Sequence, residues 1–208
     1  MLFFNYSTLI DPLMRDIRVF VPNFAGMKAG DKVLDICCGT GDQVFYYAEK
    51  GAVAYGIDLD PKMIYVAEND KRKGKNVSFR IADAAKLPFK DGFFDYVSIS
   101  LALHEKERSV RDKIISEMKR VIKKDGSLIF IDFKIPMPNN LYSYLIKSVE
   151  YLAGRGHFRY FKDYVNQGGL DRLLGENQLH EEKRSFLKNN NIVIIKTIRV
   201  RDYSLKVC

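Results

Sequence analysis

Between residues 31 and 133 the chain alternates short apolar runs with amphipathic stretches. The runs at 32–37, 52–57, 77–81, 94–100 and 126–132 are rich in β-branched and aromatic residues and bounded by Gly, Asp or Pro. That pattern predicts buried strands. The stretches 43–50, 61–73 and 108–123 predict helices. Asp60-Pro61 supplies an N-cap followed by a proline at the first helical position. In the third helix Ile114, Ile115, Met118, Val121 and Ile122 fall on one stripe. Strands alternating with helices give βαβ units, a parallel sheet and right-handed crossovers. Ligands of such sheets sit at the carboxyl ends of the strands, near the switch in strand order.

Outside this stretch the pattern differs. Leu9, Leu13, Ile17 and Phe20 recur at helical spacing within residues 6–24. They describe a helix packed on the sheet, or a lid with Tyr6 facing a reacting centre. After Phe133, Pro136-Met137-Pro138 breaks the chain, and Tyr142, Leu145, Ile146, Val149, Tyr151 and Leu152 form an aromatic-rich helical stretch. A segment with Arg155, His157, Arg159, Tyr160 and Phe161 precedes Gly168-Gly169. Residues 192–195 and 198–207 read as two final strands in an antiparallel pair. The expected organisation is a single domain over 1–208. It comprises a helical lid at 1–30, a core at 31–133, a cap at 134–175 inserted before the last strands, and a C-terminal helix and strands at 176–208. The fold class is α/β, a Rossmann-like three-layer sandwich. Its sheet is mostly parallel and seven-stranded, with the last strand antiparallel.

Composition adds little to the fold. The chain is 47% hydrophobic and 29% charged, an ordinary globular balance that excludes wholesale disorder. Three cysteines, two of them adjacent at Cys37 and Cys38, make no disulfide framework and lack the paired spacing of a zinc site. No metal is expected, and a reducing cytoplasm suits them best. No cationic segment precedes a long apolar run, and no apolar stretch approaches the ~20 residues of a membrane span. The net charge is +8, and the stretch from Lys134 onward carries 13 basic against 7 acidic residues. A basic last third suits nucleic acid, an anionic membrane surface or an acidic substrate, or simple solvation.

The strand ends carry the candidate chemistry. The first ends Asp35-Ile36-Cys37-Cys38-Gly39-Thr40-Gly41-Asp42, where the glycines allow a tight turn and a close backbone approach to a ligand. A dinucleotide fingerprint wants Gly or Ala where this chain has Val44. Asp35 and Asp42 would repel a pyrophosphate and suit a ligand carrying an ammonium and a sulfonium. The second strand ends at Asp58, close to the ~20-residue offset at which an acid holds ribose hydroxyls. The third ends Ala82-Asp83-Ala84. Three successive strands thus end in an acid at one edge, which points to one ligand needing several hydrogen-bond acceptors.

These residues resemble the class I S-adenosylmethionine-dependent methyltransferases over about half the chain. Val33-Leu34-Asp35-Ile36-Cys37-Cys38-Gly39-Thr40-Gly41 is similar to that family's first motif, and Gly56-Ile57-Asp58 with Met63 to the second. Asp83-Ala84-Ala85-Lys86-Leu87-Pro88-Phe89 followed by Phe93-Phe94-Asp95 resembles the third. Arg120 through Gly126 resembles the turn before strand five, with Asp125 where a glycine is usual. Within the family, Cys38-Gly39-Thr40-Gly41-Asp42 and Ser98-Ile99-Ser100-Leu101-Ala102-Leu103 look like the ubiquinone and menaquinone C-methyltransferases. His104-Glu105 stands where those enzymes often carry Arg-Asn.

The resemblance implies S-adenosylmethionine as cofactor and S-adenosylhomocysteine as product. It sets Asp35 and Gly39 beside the methionine moiety, with Thr40 and Gly41 in the loop beneath. Asp58 would take the ribose hydroxyls, with Leu59 beside it and Met63 packing on adenine. Asp83 would accept from the adenine amino group, next to the Ala84 backbone N–H. Ser100 and Leu101 would close the methionine end. Methyl transfer from a sulfonium depends on alignment more than on an acid, and a base is needed only where the nucleophile carries a proton. His104 is the candidate base or else a packed structural histidine, and Tyr6 is a second catalytic candidate. His157 and Tyr160 are candidate substrate residues or cap packing. Cys37 and Cys38 have no evident base partner and read as packing residues.

The leading expectation is a methyltransferase acting on a small, apolar or quinone-like acceptor, cytoplasmic, with its basic flank against an anionic membrane. An RNA or protein methyltransferase is the alternative raised by the basic pI. However, no separate RNA-binding module is visible, and no Asn/Asp-Pro-Pro-Tyr/Phe run follows strand four. A catalytically silent cofactor-binding regulator is the third reading. The sequence is silent on oligomeric state.

Overall fold

The computed structural model describes residues 6–198, with side chains from residue 13 onward. Helix α1 (Tyr6–Ala25) leads into β1 (Lys32–Ile36), α2 (Asp42–Glu49), β2 (Val53–Asp58), α3 (Pro61–Glu68), β3 (Val77–Ile81) and β4 (Phe94–Ser100). A 3-10 turn (Leu103–Glu105) and α4 (Arg108–Val121) precede β5 (Ile122–Phe133). Helices α5 (Leu141–Leu152), α6 (Arg155–Asn166) and α7 (Gly169–Glu176) then lead to β6 (His180–Leu187) and β7 (Ile192–Ile198).

The strands form one seven-stranded sheet in the order β3-β2-β1-β4-β5-β7-β6. β1 pairs in parallel with β2 and β4, β2 with β3, and β4 with β5, while β7 runs antiparallel to both β5 and β6. Strand order therefore reverses between β1 and β4, which sets the crevice beyond their carboxyl ends.

Each central strand is buried on both faces. Val33, Ala54, Ile129, Ile131 and Ile194 pack with Ile17, Val21 and Phe24 of α1, Val44 and Phe45 of α2, and Ile64 of α3. Leu34, Ile36, Val97, Ile99, Phe130 and Ile195 pack with Ile114, Ile115 and Met118 of α4 and with Leu170, Leu173 and Leu174 of α7. Helix α6 straddles the two layers at the carboxyl edge, giving Phe161 to the first cluster and Tyr164 to the second.

Several expectations are corrected. Helix α3 stops at Glu68, not at residue 73. Asn69 donates its side-chain amide to the Tyr65 carbonyl (2.7 Å), and Asp70 accepts from Arg72 N in a turn that diverts the chain. The supposed turn at Asp125-Gly126 lies inside β5, which starts at Ile122 and passes a bulge opposite Phe94–Tyr96. The hairpin partner of β7 precedes it. Residues 180–187 form a charged edge strand with no apolar alternation to announce it. Most of the second strand expected at 198–207 lies outside the described residues. The buried face of α1 is Met14, Ile17, Val21 and Phe24, while Leu13 is exposed and Phe20 half-buried.

Helix α5 is inside out. Its N-cap Asn140 accepts from Ser143 N (2.9 Å), and Ser143 and Glu150 are its buried residues. Apart from half-buried Ile146, its apolar side chains face outward, with Leu141 at 73%, Leu145 and Val149 at 54% and Leu152 at 72% exposure.

Candidate functional site

The loop after β1 turns on left-handed backbone. Gly39 has φ 53°, Gly41 φ 77°, and Cys37, which has a side chain, φ 56°. A Cβ on Gly41 would stand 2.5 Å from the Phe79 ring and 2.9 Å from Ala67, so only glycine fits between α2 and β3. Thr40 is buried in the same loop. Leu101, directly after β4, also has positive φ (49°). Strained non-glycine residues thus follow both strands that flank the switch point, as is common at ligand sites. The Cys38 thiol is buried, and burial pushes the Cys37 thiol up to about 12, so both act as neutral packing groups.

Asp35 sits near the end of β1 and is 3% exposed. The Ser98 hydroxyl of β4 donates to it at 2.6 Å, and the Tyr47 hydroxyl of α2 donates to Ser98 at 3.0 Å. Desolvation dominates and raises the carboxyl to about 7, opposed by the Ser98 hydrogen bond and Arg18, and reinforced by Asp58. Its bonded partner is a neutral hydroxyl, so the site favours a cation beside it.

Asp58 ends β2 with both oxygens in use, accepting Gly39 N at 2.8 Å and Asp60 N at 2.9 Å. These bonds tie the β2 end to the glycine loop and fix the carboxylate at the crevice rim. Asp60 caps α3 by accepting from Lys62 N at 2.8 Å, which leaves Asp58 to its separate place. Leu59 is exposed and Met63 half-buried. Asp83 is exposed and accepts from Ala85 N at 2.8 Å, next to buried Ala84. Asp42 is a correction: Arg18 (2.6 Å) and Arg72 (2.5 Å) take its two oxygens, so it binds α1 to α2 and is no free acid for a ligand.

Across the switch point, Ser100 and Leu101 are half-buried, and Leu101 N donates to the Ile131 carbonyl of β5 (2.8 Å). His104 follows on the 3-10 turn and is 2% exposed. Its Nδ1 is 2.6 Å from Asp132 Oδ1 of β5, its Nε2 is 3.6 Å from Glu150 Oε1 of α5, and Phe133, Phe161 and Tyr164 ring it. Burial alone would lower its pKa. The Asp132 charge and hydrogen bond, followed by Glu150, outweigh that and raise it to about 10. The two carboxylates thus favour the protonated ring.

His157 of α6 joins this cluster through Nε2, 2.5 Å from Glu150 Oε2. Tyr160 does not share these bonds. Its carbonyl accepts from Arg111 (2.9 Å), and the Arg159 guanidinium lies over its ring. Tyr6 begins α1, but its side chain lies outside the described residues. Arg111 of α4, 1% exposed, donates to the Leu103 carbonyl (2.9 Å), the Tyr160 carbonyl and Asp163 (3.0 Å). It clamps the His104 turn onto α6.

Residues 34–130 match the model of a methyltransferase domain family. An uncharacterized methyltransferase of Synechocystis is 38% identical over 53% of this chain and 50% of its own length. The demethylmenaquinone methyltransferase of Alkalihalophilus pseudofirmus is 32% identical over 66% of this chain and 61% of its own length. A SAM-dependent methyltransferase structure from Aquifex aeolicus superposes with a TM-score of 0.67 at 20% identity, covering 92% of this chain and 95% of that one. The core thus resembles a methyltransferase domain and shares its fold. The chain spans one half to three fifths of the length of these two curated relatives.

The carboxyl edge of the sheet fits S-adenosylmethionine by its own chemistry. Asp35 is an acid whose carboxyl is raised by burial, and carboxylates fixed by backbone N–H groups follow at the ends of β2 and β3. Sequence reasoning missed Ser98, Tyr47, Asp132, Glu150 and Arg111. Asp132 was findable, being a fourth acid at a strand end. Arg111 continues the buried stripe of Ile114, Ile115 and Met118 one turn earlier.

Proposed function

We propose that the protein is an enzyme that transfers a methyl group from S-adenosylmethionine to a small apolar, quinone-like acceptor. The observation that carries the reading is the row of Asp35, Asp58 and Asp83 beside the switch point, with Asp35 buried against a hydroxyl and raised to about 7. The sulfonium supplies the methyl group and leaves as a neutral thioether. Asp35 would face the ammonium end, Asp58 the ribose hydroxyls, and Asp83 with the Ala84 N–H the adenine. Gly39, Thr40, Gly41, Leu59, Met63, Ser100 and Leu101 would complete the walls.

In this reading the acceptor lies on the His104 side, under α5 and α6. An imidazolium there stabilises a negative acceptor oxygen, and an enolate- or phenolate-like anion needs no base to become nucleophilic at carbon. Alignment under the aromatic rings of Phe133 and Phe161 supplies the rest. His157 would orient the acceptor, and Tyr160 would shape the surface behind it. The kinship with demethylmenaquinone methyltransferases supports an acceptor of the reduced-quinone class.

The outward apolar face of α5, with Lys147 on the same helix and Arg155 and Arg159 beside it, supports contact with an anionic membrane from which such an acceptor comes. Among the described residues no helix is long and apolar enough to cross a membrane.

The test is transfer of labelled methyl from S-adenosylmethionine to a reduced, prenylated naphthoquinol or benzoquinol, with RNA and bulk protein offered in parallel. Label in the quinol supports the reading. Label in RNA or protein, or none in any acceptor while the cofactor binds, contradicts it.

A further inference from the structure

One cluster is not used up by the cofactor reading. At the carboxyl ends of β4 and β5, one ligand atom each from His104, Glu105 and His157 lies within 4.8 Å of the others. His104 Nε2 is 3.8 Å from Glu105 Oε1 and 3.6 Å from Glu150 Oε1. Four donors around an ion at bonds of about 2.0–2.2 Å stand about 3.3–3.6 Å apart. The His104–Glu105 pair is close to that spacing, and the His157 ligand atom, within 4.8 Å of both, needs only to move inward.

Two further features separate it from an ordinary patch of charge. Each imidazole has its own carboxylate partner: Asp132 Oδ1 holds His104 Nδ1 at 2.6 Å, and Glu150 Oε2 holds His157 Nε2 at 2.5 Å. Carboxylates in that position are what orient ligating histidines and raise their basicity. His104, Asp132 and Glu150 are buried, at 2%, 1% and 6% exposure, so that partner shell is rigid. Glu105 and His157 are partly exposed, at 37% and 23% of their side chains, which leaves an entry path. Asp132, Glu105 and Glu150 face the two imidazoles, and Lys106 Nζ stands 3.9 Å from Glu105 Oε2 on the cluster's open side.

We propose that His104, Glu105 and His157 bind one divalent first-row transition ion, with Asp132 and Glu150 as the carboxylates that orient the two histidines. Two imidazoles and a carboxylate select zinc, iron(II), cobalt or nickel over magnesium and calcium, which prefer all-oxygen sites. Binding forms the bond from His104 Nε2 to the ion while Nδ1 stays on Asp132; any proton on Nε2 goes to solvent. The three protein ligands lie on one side and leave coordination positions open. Under the functional reading above, on which this role rests, an open position faces the acceptor and takes its anionic oxygen. The ion then supplies positive charge beside that oxygen. Ion binding itself needs neither cofactor nor acceptor, so the two readings fail separately.

The test is titration of chelator-stripped protein with zinc by calorimetry and with cobalt(II) by absorption, in wild type, His157→Ala, Glu105→Gln and His180→Ala. His180 lies exposed on β6, far along the chain from the cluster, and serves as the control. The expected result is one ion per chain and a d–d band for cobalt. His157→Ala and Glu105→Gln each weaken binding at least tenfold, His180→Ala leaves it unchanged, and millimolar magnesium does not displace the ion. Thermal melts of the metal-free variants within a few degrees of wild type show that the fold survives. Absence of binding overturns the proposal. So does binding indifferent to both substitutions, or a cobalt spectrum dominated by thiolate charge transfer, which would put the ion on cysteine.

Discussion

Helices α4 and α5 are close in length and opposite in construction. Helix α4 turns Ile114, Ile115 and Met118 into the sheet and leaves its charges outside, with Arg111 as the one buried exception. Helix α5 turns Ser143 and Glu150 inward and leaves Leu141, Leu145, Val149 and Leu152 outside. The first arrangement holds a fold together. The second delivers a carboxylate to a buried histidine and presents an apolar face to something beyond this chain. The same contrast runs through the site. The β1–β3 half is a row of acids fixed by strand geometry, whereas the His104 half is assembled from distant segments and held shut by ion pairs.

The largest expected effect breaks the junction between the halves. Arg111→Leu leaves the Leu103 and Tyr160 carbonyls without their donor, at roughly 1–3 kcal/mol each. Denaturant unfolding should show a loss of about 3 kcal/mol, and an unchanged midpoint would mean that the clamp is not needed. Asp132→Asn comes next. It removes the charge that outweighs His104's burial. The His104 ring, followed by NMR, should lose its imidazolium character at neutral pH; retention would show that Glu150 alone suffices.

Cofactor affinity should follow the state of Asp35. Its pKa is raised from the model-peptide value of 3.8 to about 7 on folding. Its stabilising contribution is therefore fully present below about pH 4 and is lost as pH rises through about 7. Cofactor charge at Asp35 reverses the preference, because an ammonium favours the carboxylate. Affinity for S-adenosylhomocysteine should rise about tenfold from pH 6 to pH 8 in wild type, beyond any change in Asp35→Asn. Parallel profiles in the two proteins would remove Asp35 from the cofactor's reach. The smallest effect belongs to α5. The double variant Leu145→Asp/Leu152→Asp should change stability by less than about 0.5 kcal/mol, since both side chains are exposed. It should nonetheless cut flotation with anionic vesicles several-fold. Equal flotation of both proteins would leave the outward face of α5 without a membrane role.

What the sequence made legible divides along the same line. The five strands of the parallel core and their acids were readable because a strand buried on both faces is a near-continuous apolar run, and its end is marked by the residue that breaks it. The same rule pointed to Asp132, at the end of the fifth run, but one strand end was left out. Strand β6 carried no such mark, because an edge strand keeps its charges. The inverted face of α5 could not be read, since periodicity locates a stripe and is silent on which way it turns. The meeting of His104, Asp132, Glu150 and His157 depends on four separate elements, so spacing along the chain gave no sign of it.

The most direct test of the central claim is calorimetric titration with S-adenosylmethionine, S-adenosylhomocysteine and NAD, on wild type and on Asp58→Ala. The account predicts binding of the first two on the order of micromolar, about −8 kcal/mol, weakened at least tenfold in Asp58→Ala, with no binding of NAD. Tight NAD binding, or S-adenosylhomocysteine affinity unchanged in Asp58→Ala, would contradict it.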